Sequence, residues 1–148
     1  MLKINYLTIF LFTSFMFLNS FAQAQSNKNW KEVKGILEMQ EKAWNEGNID
    51  AFMQGYWKND SLKFVSNKGV VYGWQSTYDR YKRTYPDRAT MGILKFDIVS
   101  KEQMGKEVYF IVGKWHLKRD EKGDIGGFFT LIFRKISGKW LIVADHTS

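Results

Sequence analysis

Asp145 and His146 are the only adjacent carboxylate and imidazole in the chain. Either can exchange a proton near neutral pH once its surroundings shift it, so the pair is the first candidate for acid–base chemistry. Both lie in the run KWLIVADHTS, which reads as a strand, and neighbouring side chains on a strand leave on opposite faces. They cannot work as a dyad, and one of them is structural. Metal chemistry has less to draw on. With no cysteine and two histidines, a zinc or iron–sulfur site lacks its clustered ligands, and neither a metal nor a cofactor is expected.

Aromatic residues make up 17% of the sequence. Trp44, Tyr56, Phe64, Tyr72, Trp74, Tyr78, Phe96, Trp115 and Phe129 fall on elements expected to face an interior pocket. Such rings can line a site for a flat apolar or cyclic ligand, with tyrosine hydroxyls fixing its orientation. Any single ring is more often core than ligand contact. The hydroxyls of Tyr56, Tyr72, Tyr78 and Tyr85 nevertheless each need a hydrogen-bond partner if buried, which a pocket supplies more readily than a dry core.

The elements that must position these residues start from the C-terminal third. EVYFIVGKWHLKRD, GGFFTLIFRKI and KWLIVADHTS are rich in β-branched and aromatic residues and break at glycines, which predicts an antiparallel meander. Upstream, Leu94, Phe96 and Ile98 alternate with polar neighbours in a further strand from Met91 to about Gln103. LKFVS and VVYG flank Asn67-Lys68-Gly69 as a short hairpin. Residues 29–45 carry an apolar stripe at helical spacing through Val33, Leu37 and Trp44, and Gly47 supplies the stop. Asp50 is placed to cap a second short helix over 51–57. WQSTYDRYKRTYP aligns Trp74, Tyr78, Tyr81 and Tyr85 on one face of a third helix, which Pro86 ends. Arg80 and Arg83 fall off that stripe, solvated, or facing an anionic ligand if the helix lines the pocket mouth. His116 falls on the outer sheet face between Lys114 and Lys118.

Residues 1–24 read as a secretory signal: Lys3, an apolar run from about Tyr6 to Leu18, and Ala22-Gln23-Ala24 as the cleavage site, with cleavage after Ala24. The run is shorter than the roughly 20 residues that span a bilayer. A periplasmic or secreted product is expected, with residues 25–148 as one domain and no membrane attachment after cleavage. The net charge of +7 is spread along the chain, which reads as a solvated surface and argues against a nucleic-acid partner.

The element order, the phrase AWNEGNIDAFMQGYW, the GKW turn and the closing VADHTS together resemble the SnoaL-like branch of the nuclear-transport-factor-like superfamily. Ketosteroid isomerase, scytalone dehydratase and the association domain of calmodulin-dependent kinase share that superfamily. The resemblance covers residues 25–148. It implies an α+β fold, a cone-shaped barrel in which a strongly curved antiparallel sheet wraps around three N-terminal helices, with a pocket at one end and homodimerisation through the outer sheet face. It also favours His146 facing inward, with Trp140, Ile142 and Ala144. There His146 is either a catalytic or ligand-binding group or a buried neutral imidazole held by a tyrosine or a carbonyl. Asp145 would then face a neighbouring strand or the dimer surface, near Arg134 or a lysine. Ketosteroid isomerase carries its general base just after the first strand, where LKFVSNKG offers no carboxylate, and its helix-borne tyrosine falls near Gln40. Asp60 is close by, as a turn cap or as a base.

Three functions follow as expectations. The first is a small-molecule-binding domain for an apolar or cyclic ligand. The second is a cofactor-independent isomerase, cyclase, dehydratase or hydrolase using His146, with Asp145 as the other tentative catalytic group, and pocket tyrosines. The third is a structural dimerisation module.

Overall fold

The computed structural model describes the backbone from residue 6 and the side chains from residue 24. The leader expected over residues 1–24 lies, up to residue 23, outside the residues whose side chains are described. Among the described residues, no helix is long and apolar enough to cross a membrane. The chain forms two compact units that divide in sequence between Glu32 and Val33. In the first, Gln25 Nε2 donates to Asn29 Oδ1 one helical turn on, at 2.9 Å.

Helix α1 (Tyr6–Asn45) starts well before the Asn29 expected from its stripe. No proline or glycine interrupts residues 6–34, so nothing in the chain stops it. Its C-terminus closes as a Schellman motif. The Asn48 amide donates to the Ala43 carbonyl, and Gly47, at φ 76°, donates to the Trp44 carbonyl. Arg88 adds guanidinium donors to the Trp44 and Asn45 carbonyls, at 2.8 and 3.0 Å.

Helix α2 (Ile49–Phe52) runs into a 3-10 turn at Met53–Gly55. Its cap is Asn48, whose Oδ1 accepts from the Ala51 amide, and not the expected Asp50. Asp50 instead accepts from the Tyr78 hydroxyl on α3 (Trp74–Thr84). A short helix α4 (Arg88–Met91), capped by Asp87, precedes the long strands and had no sequence signal beyond that cap.

The six strands are β1 (Lys63–Ser66), β2 (Gly69–Tyr72), β3 (Ile93–Gln103), β4 (Val108–Lys118), β5 (Ile125–Ile136) and β6 (Lys139–Thr147), in the order β2-β1-β6-β5-β4-β3. The meander β3 to β6 is antiparallel as expected. The sheet as a whole is mixed, because β1 joins β6 in parallel, pairing Phe64 with Asp145. That pairing joins residues about eighty positions apart, which local patterns do not encode.

In the unit from Val33 onward, one sheet face packs against helices. Phe64, Leu94, Ile111, Leu117, Phe129, Leu131, Phe133, Trp140 and Ile142 are buried there, with Val33, Leu37 and Trp44 of α1 and Tyr81 of α3. Hydrogen bonds pin α1 to β3: Glu41 Oε2 accepts from the Phe96 amide at 2.7 Å, and Asn45 both accepts from and donates to the Leu94 backbone. The outward face keeps Phe128 and Ile132 exposed.

Two bulges interrupt the ladders. One falls at Val99 on β3. The other falls on β6, where Ala144 faces Ile132 but Ile142 faces Phe133, leaving Val143 as the extra residue. The β6 bulge sits where the strand changes neighbours. Before it, the Ile142 carbonyl accepts from the Trp57 amide, and after it β6 pairs with β1.

Candidate functional site

The β6 bulge decides which of the two C-terminal ionisable groups faces inward. A regular strand would carry the inward set through Trp140, Ile142, Ala144 and His146. The extra residue at Val143 shifts everything after it by one, and a shift of one exchanges the faces of a strand. Asp145 is therefore the inward residue, at 4% exposure, opposite the inward Leu131, while His146 is exposed. The expected inward His146 is corrected on this point, and so is the expected outward Asp145 near Arg134. His146 has no access to the interior as an acid, base or ligand contact.

Asp145 stands in the wall of a cavity of about 220 Å³. Tyr56 donates its hydroxyl to Asp145 Oδ2 at 2.6 Å, and the Thr147 hydroxyl donates to Oδ1 at 2.8 Å. The Tyr81 hydroxyl lies 3.2 Å from that of Tyr56, which extends the chain to α3. Burial pushes the Asp145 carboxyl above the usual carboxylate range, against the opposing pull of the two hydroxyls and of the Arg80 charge. Burial and the facing carboxyl hold the Tyr56 hydroxyl well above the ordinary tyrosine value, so it remains a donor at any physiological pH. Tyr81 is raised well above the ordinary value for the same two reasons.

The cavity's depth is built from rings. Trp44 meets Tyr85 edge-on at 4.7 Å and Phe52 at 5.2 Å, and its indole N–H donates to the Met91 carbonyl. Phe96 and Phe129 meet edge-on at 5.4 Å from β3 and β5. Gly113 makes room for Phe129, because a Cβ at that cross-strand position would run into the ring. Gln40 lines the wall with its amide tied to the Phe52 carbonyl at 3.1 Å. Asn67 and Ser148 are the exposed lining residues and mark the mouth.

Six of the nine rings singled out from the sequence line this cavity: Trp44, Tyr56, Phe64, Phe96, Trp115 and Phe129. Three do not. Tyr72, 61% exposed, lies on the edge strand opposite Lys63, with both side chains on the outward face. Trp74 and Tyr78 stack on each other at 5.3 Å and leave α3 toward α2, where the Trp74 N–H donates to the Met53 carbonyl. The buried face of α3 is centred on Thr77 and Tyr81, so Trp74 and Tyr78 form one flank and Arg80 the other. Arg80, expected off the stripe, is half-buried and lines the cavity, whereas Arg83 is exposed. The signal for Arg80 was its position one residue before Tyr81, and aromatic spacing alone hid it. Asp60 is exposed and lies outside the cavity, and the turn it was expected to cap is held by Asn59 accepting from the Ser61 amide. His116 is exposed, 3.2 Å from Asp124. No cluster of metal-binding side chains occurs among the described residues.

The raised Asp145 carboxyl makes a signed prediction. The folded state holds that proton more tightly than the unfolded chain does. Its contribution to stability is therefore fully present below the ordinary carboxylate range, about pH 4, and is lost as pH rises through the raised folded value. In urea titrations, the stability of the native protein relative to Asp145→Asn should fall from pH 4 toward neutrality. A difference that stays flat, or rises, would show that Asp145 is not perturbed by burial.

No family model matches the chain, and none of the curated proteins does. Solved structures do. The chain is 41% identical to an NTF2-like protein of unknown function from Shewanella oneidensis MR-1, covering 81% of this chain and 98% of that one, with a TM-score of 0.77. It is similar in fold to an NTF2-like superfamily protein from Salmonella enterica serovar Typhimurium, at 16% identity over 83% and 92% of the two chains and a TM-score of 0.66. A ketosteroid isomerase-like protein from Erwinia carotovora atroseptica gives 15% identity over 80% and 93%, with a TM-score of 0.61. The last two bear on fold alone. Taken with the mixed six-stranded sheet and the helices packed on its inner face, the identity to the Shewanella protein over nearly all of its length means that the chain belongs to the NTF2-like family.

Proposed function

We propose that the protein is a small-molecule-binding domain whose ligand, one or two rings in size, fills the cavity and offers a hydrogen-bond donor to Asp145. The observation that carries this reading is the placement of Asp145 itself. A carboxyl removed from water costs free energy unless it is well partnered. Here two hydroxyls fix it in the wall of an open cavity whose other walls are mostly aromatic. A packed core would use an apolar residue at this position. The cavity of about 220 Å³ lies below the roughly 300–1,000 Å³ of drug-sized sites, which sets the size of the ligand.

A screen of one- and two-ring fragments by protein-observed NMR tests it. Fragments that bind should shift the Trp115 and Trp44 indole resonances, and those with a hydroxyl or amine donor should bind about tenfold more weakly to Asp145→Asn. Fragments that bind elsewhere, or that ignore Asp145→Asn, would count against the site.

A second reading, a cofactor-independent acid–base catalyst, is supported by the hydroxyl chain from Tyr81 through Tyr56 to Asp145. A carboxyl with a raised pKa can hold a proton closer to neutrality and give or take it at a bound ligand, while the two tyrosines keep it oriented. In this reading Asp145 takes the role expected of His146. Turnover of a bound fragment that is lost in Asp145→Asn while binding persists would favour catalysis over binding alone.

A further inference from the structure

We infer that the ligand carries a carboxylate, which the Arg80 guanidinium binds near the mouth while its ring lies among the aromatic walls and its donor end reaches Asp145. This rests on the ligand-binding reading above and extends it to a chemical class, the small aromatic or cyclic acids.

Arg80 is half-buried, with its guanidinium 4.3 Å from the centre of the Phe64 ring. Contact with the ring face limits the freedom of the guanidinium, and its planar fork of N–H groups matches a carboxylate with two parallel hydrogen bonds. Those donors are unspent, because Arg80 makes no hydrogen bond or ion pair among the described residues. A half-buried charge with unspent donors is poorly solvated, and an anionic ligand group would relieve that cost.

The acid within the same cavity does not supply the relief. Asp145 lies beyond ion-pairing distance of Arg80, and its two oxygens already accept from Tyr56 and Thr147. The Arg80 charge is nonetheless felt inside the cavity, where it pulls down the proton affinities of Asp145, Tyr81 and Tyr85 against the effect of burial. The cavity thus has a cationic group on one wall and a carboxyl on another, with rings between them. A ligand with its acid at the Arg80 wall and a hydroxyl or amine at the Asp145 wall matches both. A cationic ligand would meet Arg80 unfavourably, and a neutral one would leave the guanidinium unmatched. Asn67, whose side chain makes no hydrogen bond among the described residues, adds a free amide at the mouth. The net charge of +7 draws anions toward the protein in general.

The test compares two probes of nearly equal shape, 4-hydroxybenzoate and 4-hydroxybenzamide, titrated calorimetrically into the native protein, Arg80→Gln and Arg80→Lys. The native protein should prefer the benzoate by about tenfold to a hundredfold, as for a charge-assisted hydrogen bond at a partly buried site, and the preference should shrink as salt is added. Arg80→Gln should erase the preference, and native-like dispersion of the Trp44 and Trp115 indole resonances in that variant shows that the pocket is still folded. Arg80→Lys, which keeps the charge without the fork, should retain part of it. If both probes bind the native protein equally, or Arg80→Gln keeps the preference, the acid subsite falls and the ligand-binding reading stands. If neither probe binds, both fall.

Discussion

Trp44→Ala should cost about 3–5 kcal/mol of folding stability, the range for emptying the place of a large buried aromatic. Trp44 is not only a wall of the cavity. It is the ring on which Phe52 of α2, Tyr81 of α3 and Tyr85 all lean, and its indole N–H holds the Met91 carbonyl at 3.1 Å. Alanine would remove the shared partner of three rings and leave that carbonyl to find another donor. The neighbours cannot close the gap easily, because Tyr81 is held by the hydroxyl of Tyr56 and Phe52 by the amide of Gln40. Urea unfolding of the variant should show the loss in the midpoint. A cost below about 1 kcal/mol would mean that the surrounding rings collapse into the space and that the cavity is less rigidly built than its geometry indicates.

Gly92→Ala is the second large effect, and its origin is backbone rather than side chain. Gly92 links α4 to β3 at φ 61° and ψ −157°, a combination that in practice only glycine adopts. An added Cβ would also run into the Lys118 carbonyl across the β3–β4 ladder. Forcing a non-glycine residue into that region costs about 1–3 kcal/mol. Crowding a fixed carbonyl adds about as much again. The combined expectation, about 2–6 kcal/mol, is checked by thermal unfolding of the variant. A change within about 0.5 kcal/mol would require the connection between α4 and β3 to have a conformation other than the one described. Because β3 carries Leu94 and Phe96 into the cavity, a variant that does fold should also show a disturbed site.

Much of the architecture was legible in the sequence because it rests on short-range patterns. The alternation in β4 and β5, the glycine-marked turns, the stripe of α1 and its stop at Gly47 each depend on neighbours a few residues apart. The parallel pairing of β1 with β6 was not legible, since nothing near Phe64 refers to Asp145. In the site, six of the nine rings chosen by pattern line the cavity, while Tyr72, Trp74 and Tyr78 do not. Tyr72 leaves by the outward face of the edge strand, while the departures of Trp74 and Tyr78 share a cause. A face read from spacing has an uncertain rotation, and in α3 the rotation is settled by Asp50 and Met53 from another element. The same rotation brought Arg80 in. The exchange of Asp145 for His146 has a different cause, the extra residue at Val143, which appears in the sequence as one more apolar residue in an apolar run.

That bulge divides β6 into two stretches whose facing is set separately. Trp140 and Ile142 are phased by the core, and Asp145 and Thr147 by their bonds to the site, with Val143 absorbing the mismatch between them. The strand therefore works like a shaft with a clutch. Removing Val143 would straighten the ladder and still leave both Ile142 and Asp145 facing in, so a change of length at this point is silent at the site. Flattening the bulge without removing a residue would instead turn the imidazole of His146 inward. In a lineage built on this plan, the chemistry of the pocket can change by re-phasing the end of one strand, with no substitution among the residues that line it.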